Sequence, residues 1–306
     1  MGNTMNKLIK TFAVAGLLAA AGCCLFCSVS VAPERVGVCS WSWHTDLKTV
    51  AAEMDKAGVK GIHLALGPFI RPDQRHGAAE TAETWAFVKD KVARGEWNVM
   101  STMVGMVGEN YSTLETIKAT GGIVPDANWA ANQKIVTRGA QLTQELGCKF
   151  MSTHAGFLDE SNPAAFKKYI KRVSWMRDEC RKYGVTLILE SGQETAEDLA
   201  VFMAKVPGIG INFDPANMIL YDKGRPLEAV RLLSPWIKQV HVKDALTTKV
   251  PGTWGVEVPW GEGEVGGDAF LAELKNLGYE GNFVVEREGG ANRVAEIHQA
   301  LDQLLN

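Results

Sequence analysis

The chain of 306 residues lacks several features that would assign a function directly. It has no excess of basic residues, because 32 lysines and arginines face 35 acidic residues and the formal net charge is −3. This balance excludes a protein that binds nucleic acid through a broad basic surface, so we expect no nucleic-acid partner. The sequence also contains no low-complexity tract, no Walker motif and no Gly-rich dinucleotide-binding turn.

Cysteine is scarce in the body of the chain. Three of the six cysteines fall within the first thirty residues. The others are widely spaced and form no Cys-x-x-Cys pair: Cys39, Cys148 and Cys180. We therefore predict buried, apolar-like thiols and no disulfide framework. With 46% hydrophobic and 22% charged residues, a soluble globular chain of this length can bury a large core without disulfides.

Residues 1–32 differ in composition from the rest and predict a bacterial export signal. Lys7 and Lys10 precede an apolar run over residues 12–31, with small residues before Cys23. The Cys23 context resembles a lipoprotein signal, which indicates an exported protein, periplasmic or outer-surface, that is lipid-anchored at Cys23. Ordinary cleavage near Ser30 and a single membrane anchor are the alternatives. No later segment is long and apolar enough to span, so membrane contact is expected only through this N-terminus.

Residues 33–306 repeat a strand-helix pattern eight times. Four helical patterns end at a glycine that suits the left-handed helix cap: Gly58, Gly147, Gly184 and Gly278. Short apolar runs typical of strands buried on both faces cover residues 36–42, 62–66, 99–104, 150–153, 186–189, 209–213, 237–242 and 283–285. Helix start signals lie between them, including Asp46 and the pair Asn162-Pro163.

This count and length predict a single (β/α)₈ TIM barrel over residues 33–306. A doubly wound open sheet is the alternative fold. That fold usually carries a Gly-rich phosphate turn after its first strand, whereas residues 40–43 here read Ser-Trp-Ser-Trp.

Four successive strands end abruptly in residues of metal-ligand type: Glu190, Asp214, His241 and Glu286. Barrel active sites lie at the C-terminal ends of the strands, so these side chains are predicted to converge. Three buried carboxylates repel one another unless a cation joins them. We therefore expect one divalent metal ion, with Mn²⁺, Mg²⁺, Co²⁺ or Zn²⁺ all compatible with this donor set. The alternative is that each polar residue merely begins a loop.

The same strand ends resemble the sugar phosphate isomerase/epimerase family of xylose isomerase-like TIM barrels. The matching stretches are Leu189-Glu190, Phe213-Asp214-Pro215, His241-Val242-Lys243-Asp244 and Val285-Glu286, and residues 258–265 resemble the Gly-Glu-Gly turn of the family. The resemblance implies that Glu190, Asp214, His241 and Glu286 are the metal ligands. The family includes ketose 3-epimerases, inosose dehydratases, hydroxypyruvate isomerases and lyases or hydrolases of 3-keto-glycosides.

Two departures from that family pattern affect the predicted reaction. Asn217 stands where the ketose epimerases carry a histidine, and Asn can hydrogen-bond a hydroxyl but cannot carry a proton. Residues 246–249 contain no counterpart of the arginine that follows the metal histidine in those enzymes. These differences weaken the case for a simple ketose epimerase and leave the dehydratase and keto-sugar branches open.

Further residues at strand ends are candidates for substrate binding: His154, Asn217, Lys243, Trp41 and Trp260. His154 could also act as acid or base, and Lys243 could steady an enolate oxygen. Tryptophan faces stack well on sugar rings, and Trp43 and Trp254 share this placement. A structural role is the alternative for each, as it is for His63, and Arg287 and Glu288 could form an ion pair. Residues 107–129 and 250–267 are long loops that could act as lids.

The predicted reaction is metal-assisted proton abstraction next to a carbonyl, with Glu190 and Glu286 as base and acid. Export and the lack of a phosphate clamp favour an unphosphorylated sugar or keto-sugar as the small-molecule partner. Three alternatives remain. They are a metal-independent glycoside hydrolase, an endonuclease IV-like zinc enzyme, and a non-catalytic sugar-binding lipoprotein. Epimerisation, elimination and the oligomeric state stay open.

Overall fold

The computed structural model describes residues 30–71 and 78–306. Apart from its last three residues, the predicted export signal, residues 1–32, lies outside the described residues. In the described part of the chain, no helix has both the length and the apolar character that a bilayer crossing requires.

The described strands are β1 Val36–Cys39, β2 Gly61–Ala65, β3 Asn98–Met103, β4 Phe150–Thr153, β5 Thr186–Glu190, β6 Gly210–Phe213, β7 Ile237–Val242, β8 Asp244–Leu246, β9 Val256–Val258 and β10 Asn282–Val285. Eight of them close a parallel barrel in the order β1-β10-β7-β6-β5-β4-β3-β2. Strands β8 and β9 form a separate antiparallel pair at its mouth. The predicted (β/α)₈ TIM barrel is therefore confirmed.

The described helices are α1 Leu47–Ala57, α2 Gly67–Ile70, α3 Ala78–Ala93, α4 Leu114–Thr120, α5 Asp126–Glu145, α6 Pro163–Arg181, α7 Ala196–Lys205, α8 Pro215–Leu220, α9 Pro226–Leu233, α10 Gly267–Asn276 and α11 Arg293–Leu305. Asp46 caps α1 by accepting hydrogen bonds from the backbone N–H groups of Lys48 and Thr49. Asn162 caps α6 in the same way through the N–H of Ala165. Both predicted helix starts are thus confirmed.

Three local predictions differ from the structure. Strand β1 ends at Cys39, because residues Ser40–Trp43 wind into a 3₁₀ turn that closes at His44 in the left-handed region, with φ of 49°. The loop predicted for residues 107–129 contains helix α4, and a capping box between Thr113 and Thr116 stabilises the start of that helix. The second predicted loop, residues 250–267, contains β9, which pairs with β8.

The apolar core lies mainly between the barrel strands and the surrounding helices. Its largest fully buried side chains include Phe202, Phe213, Phe270 and Met54, and the rings of Phe213 and Phe270 stack with centroids 5.9 Å apart. All three described cysteines are free and buried, as predicted. Inside the barrel, by contrast, many buried side chains are polar, including Ser101, Asn212, Gln239 and His241.

Candidate metal centre and active site

Four adjacent strand ends bring the predicted ligands together. Glu190 ends β5, Asp214 follows β6, His241 lies in β7 and Glu286 follows β10. All four are buried, and one ligand atom from each lies within 4.8 Å of the corresponding atoms of the others. Because β5, β6, β7 and β10 are neighbours in the barrel, the fold itself places three carboxylates and one imidazole around a single point.

Each carboxylate is also oriented by a neighbouring donor. Glu286 Oε1 accepts a hydrogen bond of 2.6 Å from Trp41 Nε1. Glu190 Oε1 accepts one of 3.2 Å from Asn217 Nδ2. Asp214 Oδ1 accepts one of 2.8 Å from the backbone N–H of Asn217, which makes this carboxylate the cap of α8. Such supporting bonds fix the direction in which a ligand presents its oxygen atoms.

The imidazole of His241 contacts different groups through its two nitrogen atoms. Its Nδ1 atom lies 3.1 Å from Glu286 Oε2 and 3.4 Å from Asp214 Oδ2. Its Nε2 atom lies 2.9 Å from Asn212 Nδ2 and 3.2 Å from His63 Nδ1. Donation of an Nε2 proton to His63 Nδ1 would leave the lone pair of Nδ1 facing the carboxylates as the metal-binding atom.

Lys243 is a buried cation beside the carboxylates. Its Nζ atom lies 3.0 Å from Glu286 Oε2, 2.8 Å from Glu288 Oε2 and 3.7 Å from Asp214 Oδ2. Burial alone would lower the pKa of Lys243, but the charges of Glu286 and Glu288 hold that pKa well above its usual range. The ammonium group therefore stays charged and offsets part of the negative charge of the cluster.

The two glutamates at the ends of the ligand set have opposite electrostatic environments. Burial, reinforced by the charges of Glu286 and Asp214, raises the pKa of Glu190 well above its usual range. Burial acts in the same direction on Glu286, but the positive charges of Lys243 and His241 hold its pKa well below the usual range. Carboxyl groups with such divergent pKa values suit the roles of acid and base.

A cavity of about 650 Å³ opens onto this cluster at the mouth of the barrel. The predicted residues Trp41, His154, Asn217 and Lys243 all line it, together with Glu190 and Glu286. His154 Nε2 lies 3.3 Å from Glu190 Oε1, and burial lowers the pKa of His154, so its imidazole is neutral near pH 7. The volume falls in the range of small-molecule sites.

A family model described as xylose isomerase-like TIM barrel matches residues 106–305. The chain belongs to that family. A protein of Escherichia coli (strain K12) named YihM is 31% identical over 110 residues, which are 35% of this chain and 33% of that protein. The matched stretch thus spans about a third of the length of the curated relative.

Solved structures of this family share the fold. A xylose isomerase domain protein from Planctomyces limnophilus is 29% identical with a TM-score of 0.75, over 88% of this chain and 95% of that chain. The probable 3-DHS dehydratase AsbF from Bacillus anthracis is 15% identical with a TM-score of 0.68, over 89% of this chain and 99% of that chain. A xylose isomerase-like TIM barrel protein from Mycobacterium smegmatis, in complex with magnesium, is 18% identical with a TM-score of 0.62, over 89% of this chain and 98% of that chain. At such low identities the last two likenesses show the fold alone.

Some residues singled out in the sequence lie elsewhere in this xylose isomerase-like barrel. Trp260 is buried outside the cavity, where its indole packs close to Gly267 at the start of α10. Trp43 is buried as well, and its ring contacts that of His298 at a centroid distance of 5.5 Å. The structure therefore gives both indoles packing contacts rather than a place in the cavity wall.

The predicted ion pair between Arg287 and Glu288 does not form. Arg287 instead lies 2.8 Å from Glu257 and 2.8 Å from Glu296, whereas Glu288 turns to Lys243. Consecutive residues in extended backbone point to opposite sides, which separates these neighbours.

Three further aromatic residues line the cavity: Tyr111, Tyr221 and Trp254. Tyr111 and Tyr221 were not identified from the sequence, whereas Trp254 was singled out only as one of several tryptophans near strand ends. The ring centroids of Tyr221 and Trp254 are 4.8 Å apart, and those of Tyr111 and His154 are 6.4 Å apart. The aromatic residues come from separate loops, so no local spacing in the sequence links them.

Asp244 organises the loop over residues 258–266. Its carboxylate accepts four backbone hydrogen bonds, from Ala245 and Val265 at Oδ1 and from Gly261 and Gly263 at Oδ2, at 2.9 to 3.1 Å. Gly263 approaches so closely that an added Cβ would lie 2.1 Å from Asp244 Oδ1. The turn with Gly-Glu-Gly sequence is therefore explained by its wrapping around this carboxylate.

The residues present fit a divalent metal ion. Three carboxylates and a neutral imidazole nitrogen form a donor set that hard or borderline divalent cations prefer. Without a cation, the charges of Asp214 and Glu286 are offset by Lys243 and a protonated His241, while burial keeps Glu190 protonated. A divalent ion would replace the protons on Glu190 and His241. Glu190, Asp214, His241 and Glu286 are thus the residues that would hold the ion.

Proposed function

We propose that this protein is a metal-dependent enzyme that removes a proton from the carbon next to the carbonyl of an unphosphorylated sugar or keto-sugar. The observation that carries the proposal is the pair Glu190 and Glu286. These carboxyl groups flank one buried ligand set, face one cavity and have pKa values displaced in opposite directions. General acid–base chemistry needs such a pair within reach of one substrate.

A divalent ion bound by the cluster supplies Lewis acidity, which lowers the pKa of the C–H group beside a polarised carbonyl. Glu286, held ionised by Lys243 and His241, accepts the proton from that carbon. Glu190, at the end of β5, returns a proton. Return to the opposite face of the same carbon gives an epimer, and delivery to a departing β-oxygen gives elimination with loss of water or an alcohol.

The residues around Glu190 favour elimination from a keto-sugar over simple ketose epimerisation. Asn217 donates to Glu190 Oε1 and can hydrogen-bond a sugar hydroxyl, but it carries no exchangeable proton for catalysis at neutral pH. His154 stands 3.3 Å from the same oxygen as a neutral imidazole. That position suits proton delivery to a leaving group beside Glu190.

The charge of the cavity supports an unphosphorylated substrate. Among the described lining residues the cationic side chains are Arg71 and Lys243, and Lys243 is paired with Glu286 and Glu288. Five lining residues are acidic: Glu109, Glu190, Glu257, Glu286 and Glu288. The described lining residues thus offer few cationic side chains to clamp a phosphate group, whereas the aromatic walls suit the apolar face of a neutral sugar ring. The predicted export signal supports the same choice, because sugar phosphates are largely cytoplasmic.

The test is solvent exchange in heavy water. Protein supplied with Mn²⁺ is incubated with a panel of neutral ketoses, 3-keto-sugars and 3-keto-glycosides, each beside a phosphorylated counterpart, and deuterium incorporation is followed by NMR. We expect incorporation or elimination with a neutral member of the panel, and loss of that activity in Glu190→Gln and Glu286→Gln. Glu80→Gln, on the outer helix α3, serves as the matched control and is expected to retain activity.

No exchange with any carbonyl sugar would contradict the proposal. Hydrolysis of a glycoside that continues in EDTA would instead support the metal-independent glycosidase. Sugar binding that is unchanged in both glutamate variants, without turnover, would support a non-catalytic binding protein.

A further inference from the structure

A second cluster of ligand-type side chains lies on the other side of His241. Cys39 of β1, His63 of β2 and His241 of β7 point into the barrel interior and are fully buried. Cys39 Sγ lies 3.8 Å from His63 Nδ1 and 3.8 Å from His241 Nε2, and the two nitrogen atoms are 3.2 Å apart. The proposed reaction uses neither Cys39 nor His63.

These distances match the edges of a metal coordination sphere. A point equidistant from the three atoms lies about 2.1 Å from each, close to typical zinc bonds of roughly 2.0–2.1 Å to nitrogen and about 2.3 Å to sulfur. A displacement of about 0.2 Å within the plane, away from sulfur, gives about 2.3 Å to sulfur and about 2.0 Å to each nitrogen. Thiolate sulfur and imidazole nitrogen are both zinc donors, and a trigonal set of one sulfur and two imidazoles also occurs in copper sites.

Hydrogen bonding accounts for the same cluster less completely. One proton can join His63 Nδ1 to His241 Nε2, but the thiol then stands 3.8 Å from both nitrogens without a short contact. Binding of a metal at Nδ1 would leave the ring proton of His63 on Nε2, outside the cluster.

The amide side chains next to the cluster could supply a fourth ligand. Asn212 Nδ2 lies 2.9 Å from His241 Nε2, and Gln239 Nε2 lies 3.1 Å from His63 Nδ1. Rotation of both amides by half a turn would exchange nitrogen and oxygen in each and reverse the 3.1 Å hydrogen bond that Gln239 Nε2 donates to Asn212 Oδ1. An oxygen would then face the point that Cys39, His63 and His241 surround.

We propose that Cys39, His63 and His241 hold a zinc ion, distinct from the ion of the carboxylate cluster. His241 would bridge the two ions, with Nδ1 on the carboxylate side and Nε2 on the thiolate side. Binding at both nitrogens would displace the ring protons of His241, and the two ions would then supply the positive charge that the imidazolium gives Glu286 without metal. The soft sulfur donor selects a thiophilic ion, whereas the carboxylate site suits a harder one. The inference does not depend on the proposed reaction.

The test measures zinc in a full chain whose other accessible thiols have been removed. Cys23, Cys24 and Cys27 are first replaced by serine, and the protein is purified without a histidine tag after growth with zinc. Metal content per chain is measured by mass spectrometry before and after dialysis against EDTA, and zinc X-ray absorption reports the bound atoms. Cys39→Ser and His63→Gln are compared with Cys180→Ser, a matched control at another fully buried free cysteine.

We expect about one zinc per chain to survive dialysis, because the site is enclosed by the barrel, with one sulfur neighbour at about 2.3 Å. Cys39→Ser and His63→Gln should lose that zinc, and Cys180→Ser should keep it. Absorption data on protein that retains Cys39 decide the matter even where a variant fails to fold. A zinc spectrum with only nitrogen and oxygen neighbours, or retention of zinc in folded Cys39→Ser, would overturn the inference. Failure of the proposed reaction would leave these results unchanged.

Discussion

Replacing Lys243 with methionine tests how charge is balanced at the ligand cluster. Methionine keeps most of the apolar stem of lysine and removes the ammonium group. In the native protein that group lies 3.0 Å from Glu286 and 3.7 Å from Asp214, and the side chain is only 3% exposed. The substitution therefore leaves buried carboxylates without their nearest permanent cation.

The expected effect depends on the metal. Removing one partner of a buried ion pair costs roughly 3–5 kcal/mol, so the free energy of unfolding in EDTA should fall by about that amount. A divalent ion at Glu190, Asp214 and Glu286 replaces the missing positive charge. It should also bind more tightly, because the variant cluster is more negative. In saturating Mn²⁺ we therefore expect the loss to shrink to about 1–2 kcal/mol, since binding to the native state adds stability.

Urea unfolding followed by tryptophan fluorescence, with and without Mn²⁺, measures both quantities. Lys48→Met is the matched control, because Lys48 and Glu83 form an ion pair of 3.1 Å whose side chains are 66% and 71% exposed. The control should lose at most about 1 kcal/mol under either condition. An equal loss of stability in Lys243→Met with EDTA and with Mn²⁺ would show that no bound ion replaces the charge of Lys243.

Three further predictions concern other parts of the structure. Asp244→Asn should lower the free energy of unfolding by about 2–4 kcal/mol and speed proteolysis within residues 258–266, because an amide nitrogen cannot accept the N–H groups of Gly261 and Gly263. Burial raises the pKa of Glu194 to about 8, above its ordinary value of 4.5, so its contribution to stability is lost as the pH rises from about 4.5 to about 8. Glu194→Gln should therefore match the wild type in urea unfolding at pH 4 and exceed it by a few kcal/mol at pH 9; a constant difference would contradict the buried carboxyl. Trp254→Ala should raise KM for a sugar substrate at least several-fold with a smaller change in kcat, and unchanged kinetics would exclude stacking on Trp254.

The barrel could be predicted from the sequence because its signals are local. Glycine caps, short apolar runs and their number specify alternating strands and helices without knowledge of tertiary contacts. The convergence of Glu190, Asp214, His241 and Glu286 followed from topology, since parallel barrel strands end at the same face. Once the fold was right, the strand-end positions placed these four side chains together.

Contacts that depend on side-chain packing were not predictable in the same way. The sequence predicts only a buried thiol at Cys39, and its approach to His241 depends on β1 and β7 lying on either side of β10 in the barrel. Glu288 was assigned to Arg287 because the two are adjacent in sequence, whereas the backbone direction sends Glu288 to Lys243. Trp260 was expected at the cavity, but the turn held by Asp244 directs its indole towards α10.

We propose that proton abstraction depends on a metal ion bound at the carboxylate cluster. The most direct measurement titrates Mn²⁺ into metal-stripped protein while solvent deuterium incorporation into a neutral keto-sugar is followed in the same sample. We expect exchange to be absent in EDTA and to rise in proportion to the Mn²⁺ bound at this cluster, with no such rise in Asp214→Asn. Exchange or turnover at the full rate in the metal-free protein would contradict it.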